Sequence, residues 1–211
     1  MMVPKIVDAA ARRQEVVEAV FRIIAVDGLE RASLREVADE ADLAVGSVRH
    51  YFTSSEELLV HSFGVVVDRI IARLTRARDR IAALPPGSAE HYDGVLTLLG
   101  QFLPLDEERA VDACVWMAFK NAARIKPFLA PEADRSHRAV AAVMGWLIIE
   151  LTKDDDAARE QALVTEAERL LATLDGLTMH ALLQPEWMTA QMCRDVLDAH
   201  LRGLGAVPTG H

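Results

Sequence analysis

Side chains able to do chemistry crowd the stretch from Ser33 to Leu58, which reads Ser-Leu-Arg-Glu-Val-Ala-Asp-Glu-Ala-Asp-Leu-Ala-Val-Gly-Ser-Val-Arg-His-Tyr-Phe-Thr-Ser-Ser-Glu-Glu-Leu. The chemistry they suit is recognition. An arginine offers a fixed fork of donors that fits a phosphate or the edge of a guanine. The pattern predicts a short helix, a tight turn, a second short helix and the capped start of a third. Two helices joined so closely can present the second as a rigid rod that fits a DNA major groove.

Constellations for catalysis are missing. The chain has no HExxH, no Glu-x-x-His pair, no Walker loop and no Gly-x-Gly-x-x-Gly, and Gly203-Leu204-Gly205 does not continue to a third glycine. The histidines at 50, 61, 91, 137, 180, 200 and 211 are scattered without ligand spacing. Cys114 and Cys193 stand alone, so neither a zinc site nor a disulfide framework is expected. No metal and no cofactor is expected. A helical enzyme is the rival from another class, and these absences weigh against it.

The elements that position the stretch are helices. The chain has 211 residues, half of them hydrophobic, with few aromatics, which favours packed helices around one core or two. Punctuation marks about nine helices and no convincing strand. The first runs from about Ala9 to Asp27, with Val17, Val20, Phe21 and Ile24 on one face and Gly28 as a glycine cap. Ser33 with Glu36 and Ser54 with Glu57 form capping boxes that open the second and fourth helices. The third is expected over Val45 to Phe52. Leu84-Pro85-Pro86-Gly87-Ser88 is the clearest linker. Further breaks fall at Leu103-Pro104, Pro127 to Pro131, Lys153 to Asp156 and Gln184-Pro185.

The fold expected is therefore all-α, with a three-helix head over 1–54 carrying the helix-turn-helix and a six-helix body over 55–211. The N-terminus lacks the apolar stretch of a signal peptide, and the run Ala139 to Ile149 is too short to span a bilayer. A soluble, cytoplasmic protein is expected, with no membrane partner. Net charge is −9 for the chain, and residues 1–60 carry seven Lys/Arg against eleven Asp/Glu. A DNA reader of this composition must segregate its bases onto one face. Arg12 and Arg13, near the start of the first helix, sit where the helix dipole disfavours cations, a placement that fits phosphate contact as well as ordinary solvation.

From Arg12-Arg13 through Leu58 the chain resembles the TetR family of transcriptional regulators. The matching stretches are Ala-Val-Asp-Gly-Leu-Glu-Arg-Ala-Ser-Leu-Arg-Glu-Val-Ala and Val-Gly-Ser-Val-Arg-His-Tyr-Phe-Thr-Ser-Ser-Glu-Glu-Leu. The body resembles one of the family's common C-terminal types through Val-Trp-Met-Ala-Phe-Lys-Asn-Ala-Ala and Leu-Asp-Gly-Leu-Thr-Met-His-Ala-Leu-Leu. The resemblance implies a homodimer that binds a palindromic double-stranded DNA operator, usually represses transcription, and is released by a small-molecule effector held in the body. It places Ser33 and Arg35 against phosphates, Val45, Gly46, Ser47, Arg49 and His50 nearest the bases, and Tyr51 at a phosphate. Plain structural readings stand beside these: Ser33 as a cap alone, His50 as a solvated residue. Three positions depart from the family pattern. Asp42 stands where glycine is common, Ala44 lacks the capping hydroxyl before the recognition helix, and Ser55 replaces a frequent lysine.

In the body, Asp112, Trp116 and Phe119 share one stripe of the sixth helix, and Trp146 with Glu150 repeats the pairing of Trp and acid on the seventh. Carboxylates beside aromatic faces suit a cationic or flat aromatic ligand. Singly, each could be core or a solvated acid. Leu163, Ala167, Leu170, Leu174 and Leu177 line the eighth helix, and Val196, Leu197, His200 and Leu201 the ninth. They could be the chain's own core. The expectation is that Leu170, Leu174, Leu177, Val196, Leu197, His200 and Leu201 pair with a second copy in a four-helix interface. A dimeric DNA binder without an effector is the alternative.

Overall fold

The computed structural model describes residues 9–152 and 160–204. The N-terminal segment before Ala9, the break expected at Lys153 to Asp156, and Gly205 lie outside the described residues. Among the described residues the chain is all helical: α1 (Ala9–Asp27), α2 (Leu34–Glu40), α3 (Val45–Tyr51), α4 (Ser55–Ala82), α5 (Ala89–Leu99), α6 (Glu107–Ala123), α7 (Ala130–Thr152), α8 (Glu160–Leu183) and α9 (Ala190–Gly203). Short 3-10 turns at Leu29–Arg31, Gly100–Phe102 and Pro127–Leu129 punctuate them.

Two compact units form. The first holds the described residues up to Val66 together with Cys114–Ala133, so the boundary expected at 54/55 falls inside it. Its core explains its extent: Val16, Val17, Val20, Phe21 and Ile24 recur along one face of α1, and Val37, Val48, Phe52, Leu58 and Phe63 are buried as well. Helix α2 packs on both α1 and α3. Phe63 of α4 stacks on Phe119 of α6 at 4.8 Å between ring centres. Lys126 joins this unit's ends through an ion pair with Glu30 at 3.2 Å. Helix α1 stops at Gly28, whose φ of +84° and ψ of 168° lie in an extended, positive-φ region that glycine alone enters without strain.

The second unit holds Val67–Ala113 and the described residues from Asp134 onward. Helix α9 packs on α5 and α8. Ser88 caps α5 by accepting from the His91 amide at 3.1 Å, and Thr189 caps α9 by accepting from the Met192 amide at 3.2 Å. The Tyr92 hydroxyl donates to Asp198 at 2.9 Å, and Arg194 pairs with Asp93, so α5 and α9 are tied by polar bonds as well as apolar packing. Burial and the bond to Asp198 push the Tyr92 hydroxyl up to about 12. The Thr178 hydroxyl donates to the Phe102 carbonyl at 3.3 Å. Arg135 of α7 pairs with Asp68 of α4 at 2.8 Å.

Candidate functional site

The α2–turn–α3 segment is built by backbone bonds that its sequence selects. Ser33 Oγ accepts from the Glu36 amide at 3.2 Å and opens α2. The Glu36 carboxylate does not close the box on Ser33. It pairs with Arg31 at 3.3 Å. At the other end the Asp42 amide donates to Asp39 and the Leu43 amide to Ala38, at 3.3 and 2.9 Å. That pair of bonds is a Schellman ending, and it requires left-handed backbone at the residue between cap and loop. Asp42 supplies it with φ +53°, a conformation aspartate tolerates better than most residues. Ala44 then begins α3 with extended backbone and no side-chain cap, so the missing hydroxyl read in the sequence leaves the helix's first turn uncapped. Ser54 opens α4 by accepting from Glu57, whose carboxylate turns back to the Thr53 amide and hydroxyl at 2.8 and 2.6 Å. Those two bonds hold the Glu57 carboxyl below its usual range.

Charge in this unit is segregated by pairing. Arg12 pairs with Glu15 at 2.6 Å, Arg22 with Glu40 at 2.5 Å, and Arg31 with Glu36. The Arg13 guanidinium lies 4.8 Å from the Phe52 ring centre. Among the described residues up to Val66, Arg35 and Arg49 are the arginines left with no partner in the chain. Both are exposed, Arg35 on α2 and Arg49 on α3. Gly46, Ser47 and His50 are exposed beside Arg49, while Val45 and Tyr51 are half-buried. His50 and Tyr51 meet edge to face at 5.2 Å. A Cβ at Gly46 would meet nothing within 4 Å, so no intramolecular crowding requires glycine there. Val48 and Phe52 point into the core and fix the rod. Of the expected contact set, Arg35, Gly46, Ser47, Arg49 and His50 are thus exposed, and Ser33, Val45 and Tyr51 are half-buried. The Ser33 hydroxyl is already used as a cap.

The five expected ligand residues have separate fates. Asp112 is 1% exposed and pairs with Arg73 at 2.5 Å and Arg69 at 3.5 Å, all within the second unit. This corrects the expectation of a carboxylate free to face a cation: two guanidiniums already satisfy it. In the first unit, Phe119 is committed to its stack on Phe63, and Trp116 is buried with the Lys120 ammonium 5.4 Å from its ring. In the second unit, Trp146 is half-buried on α7, one turn before Glu150. Glu150 Oε1 lies 3.1 Å from His91 Nε2, and His91 itself is buried. Arg69, Arg73 and His91 escape sequence reasoning because each lies 39 to 59 residues from its partner.

The expected dimer residues need a correction too. Leu170, Leu174, Leu177, Leu197 and Leu201 are buried inside the chain, at 0–5% exposure, and have no surface left to give a partner. Val196 is exposed at 36%, and His200 is half-buried with Nδ1 3.4 Å from the Thr173 hydroxyl. Burial and nearby Arg169 hold the His200 pKa below its ordinary 6.5, against a smaller opposing pull from Glu166. What remains open on α8 is a different stripe: Ala172, Gly176, Met179 and Leu183. On α9 it is Met192, Val196, Ala199 and Gly203. A Cβ at Gly176 or Gly203 would meet nothing within 4 Å.

Among the described residues no cluster of His, Cys, Asp and Glu is placed to hold a metal ion. No described helix is long and apolar enough to cross a membrane. Residues 16–61 match the family described as bacterial regulatory proteins, tetR family, and residues 92–206 match the BetI-type transcriptional repressor C-terminal description. The HTH-type transcriptional regulator PksA of Bacillus subtilis (strain 168) is 33% identical over 201 residues, spanning 95% of this chain and 93% of that protein. A transcriptional regulator from Rhodococcus sp. Rha1 superposes with a TM-score of 0.78 at 28% identity, covering 91% of this chain and 95% of that one. The multidrug binding protein EbrR, complexed with ethidium, superposes with a TM-score of 0.58 at 26% identity, covering 90% and 98%.

Proposed function

Because the chain belongs to the TetR family and carries a BetI-type C-terminal half, we propose that it is a cytoplasmic repressor that reads a palindromic operator as a homodimer and leaves it when a small molecule binds the second unit. It is a DNA-binding transcriptional regulator, not an enzyme. The observation that carries the operator reading is the survival of Arg35 and Arg49 as unpaired, exposed cations in a unit whose other exposed arginines up to Val66 are held by carboxylates. Arg49, with Ser47 and His50, lies on α3 where a recognition helix meets base edges, and a bidentate arginine there selects guanine. Arg35 and Tyr51 are left for phosphates. Selecting bound DNA from a random pool tests this. An inverted repeat supports the dimeric reader, and output without any shared sequence contradicts it.

Dimerisation through α8 and α9 is supported by the open stripes on both helices, not by the buried leucines first expected. Small residues at Ala172, Gly176, Ala199 and Gly203 allow close approach of helix backbones, with Met179, Leu183, Met192 and Val196 supplying apolar area. Gly176→Glu places a charge on that face where a side chain has room in the protomer. Sedimentation should show a dimer for the native chain and a monomer for the variant.

For the effector, Trp146 and Glu150 on α7 are the candidates that keep an uncommitted group: a half-buried indole and the second carboxylate oxygen of Glu150. An aromatic face and a carboxylate one turn apart suit a flat organic cation. Ethidium, bound by EbrR, is such a cation. Quenching of Trp146 fluorescence by ethidium, with Trp116→Phe and Trp187→Phe removing the other indoles, tests this. Loss of the response in Glu150→Gln supports it, and no response from any organic cation removes it.

A further inference from the structure

Within the second unit, the C-terminal end of α5, the turn after it, the start of α6 and the first turns of α9 enclose a cleft of about 370 Å³. None of the expected effector residues lines it. We propose that this cleft is a second small-molecule site, selective for a carboxylate that carries a short apolar tail; it stands apart from the cation reading of Trp146 and Glu150.

Three features argue for that class. The volume lies at the lower end of the range in which small ligands are bound. Leu103, Leu105 and Leu197 supply an apolar wall that a tail can cover. The charged residues among the lining are Arg109 and Arg194, and no carboxylate joins them. Their counter-ions are Asp106 and Asp93, 53% and 65% exposed and outside the lining, where water screens them.

The arginines are also held in place before any ligand arrives. Arg109 donates from Nε to Asp106 at 2.8 Å and from Nη1 to the Gly100 carbonyl at 2.9 Å, which leaves Nη2 uncommitted. Arg194 uses Nη2 for Asp93 and keeps Nε and Nη1. A guanidinium fixed in this way loses little freedom when it accepts a carboxylate, so the charge-assisted bond is retained as affinity. The cleft wall also includes Ala190 and Gln191 from the first turn of α9, the positive end of that helix. A cation entering here would meet two guanidiniums and no acceptor of opposite charge.

Isothermal titration of the full chain with sodium octanoate tests the proposal. Binding of one octanoate per chain is expected, weakened tenfold or more in Arg194→Met, and unchanged in Glu150→Gln and Trp146→Ala. Arg109→Met should weaken it similarly, with far-UV circular dichroism confirming the fold. Octyltrimethylammonium and octanol should not displace octanoate from the native chain. Failure of the native chain to bind octanoate would overturn the proposal, as would undiminished binding by Arg194→Met. Displacement by octyltrimethylammonium, or loss of binding in Glu150→Gln, would move the ligand to the α7 site and overturn it as well.

Discussion

Removing the Asp112 carboxylate should be the most damaging single polar change in the second unit. The group is 1% exposed, with Arg73 at 2.5 Å and Arg69 at 3.5 Å. The Arg73 side chain is only 13% exposed, so Asp112→Ala leaves a nearly buried guanidinium without its ion-pair partner, with only the more distant charge of Asp106 acting on it. Breaking such a pair costs about 3–5 kcal/mol. Arg69, at 27% exposure, can turn toward water, which puts the expected loss near the lower end, about 3 kcal/mol. For a chain of this size that is a fall in Tm of roughly 6–12 °C. Replacing the pair as Arg73→Met with Asp112→Leu should recover most of the loss, because a packed apolar pair carries no desolvation cost. Thermal and urea unfolding followed by circular dichroism measure both. A loss under about 1 kcal/mol for Asp112→Ala, or a double variant no better than the single, would refute a buried ion pair that only its own partners can satisfy. The same variants separate structure from ligand binding. Asp112→Asn should leave the response to ethidium intact, since its carboxylate already faces arginine.

Restoring the missing cap with Ala44→Ser should stabilise the chain by about 1 kcal/mol, read as a higher urea midpoint, because the Ala44 backbone already has the extended conformation a capping serine needs. Tyr92→Phe should cost about 1 kcal/mol by the same measurement, through loss of the bond that ties α5 to Asp198 of α9. His200 gives a pH dependence. Its folded pKa lies below the ordinary 6.5, so the unfolded chain takes up the proton first. Stability from this group is therefore complete above about pH 6.5, falls as pH drops toward the folded value, and is then level. Asp106 and Asp198, both held low by bonds from arginine, add their loss only at more acid pH. His200→Gln should flatten the first window and leave the second.

The head was legible because its signals are local. Ser33, Asp42, Ala44 and Ser54 each act on backbone within five residues, so the caps at Ser33 and Ser54 follow from spacing, while the turn at Asp42 and the uncapped first turn of α3 follow from the resemblance to the family pattern. The body was legible as helices and breaks, since glycine and proline punctuate it. It was not legible as surfaces. Helix α8 carries two apolar stripes: Leu170, Leu174 and Leu177 turn inward, while Ala172, Gly176, Met179 and Leu183 are left open. Periodicity says that a face is apolar and is silent on what covers it. The partners of Asp112 were illegible for a related reason, as both arginines reach it from α4, some forty residues away in sequence.

The most direct test of the operator reading compares Arg49→Ala and Arg35→Ala on a DNA site selected by the native chain, using fluorescence anisotropy across a salt series and single-base variants of the site. Arg49→Ala should cost about 1–3 kcal/mol and erase discrimination at one base pair per half-site. Arg35→Ala should weaken all sequences alike and reduce the salt slope by about 1 for each phosphate it no longer neutralises. Unchanged discrimination in Arg49→Ala, with the native salt slope kept in Arg35→Ala, would contradict the assignment of α2 to phosphates and α3 to bases.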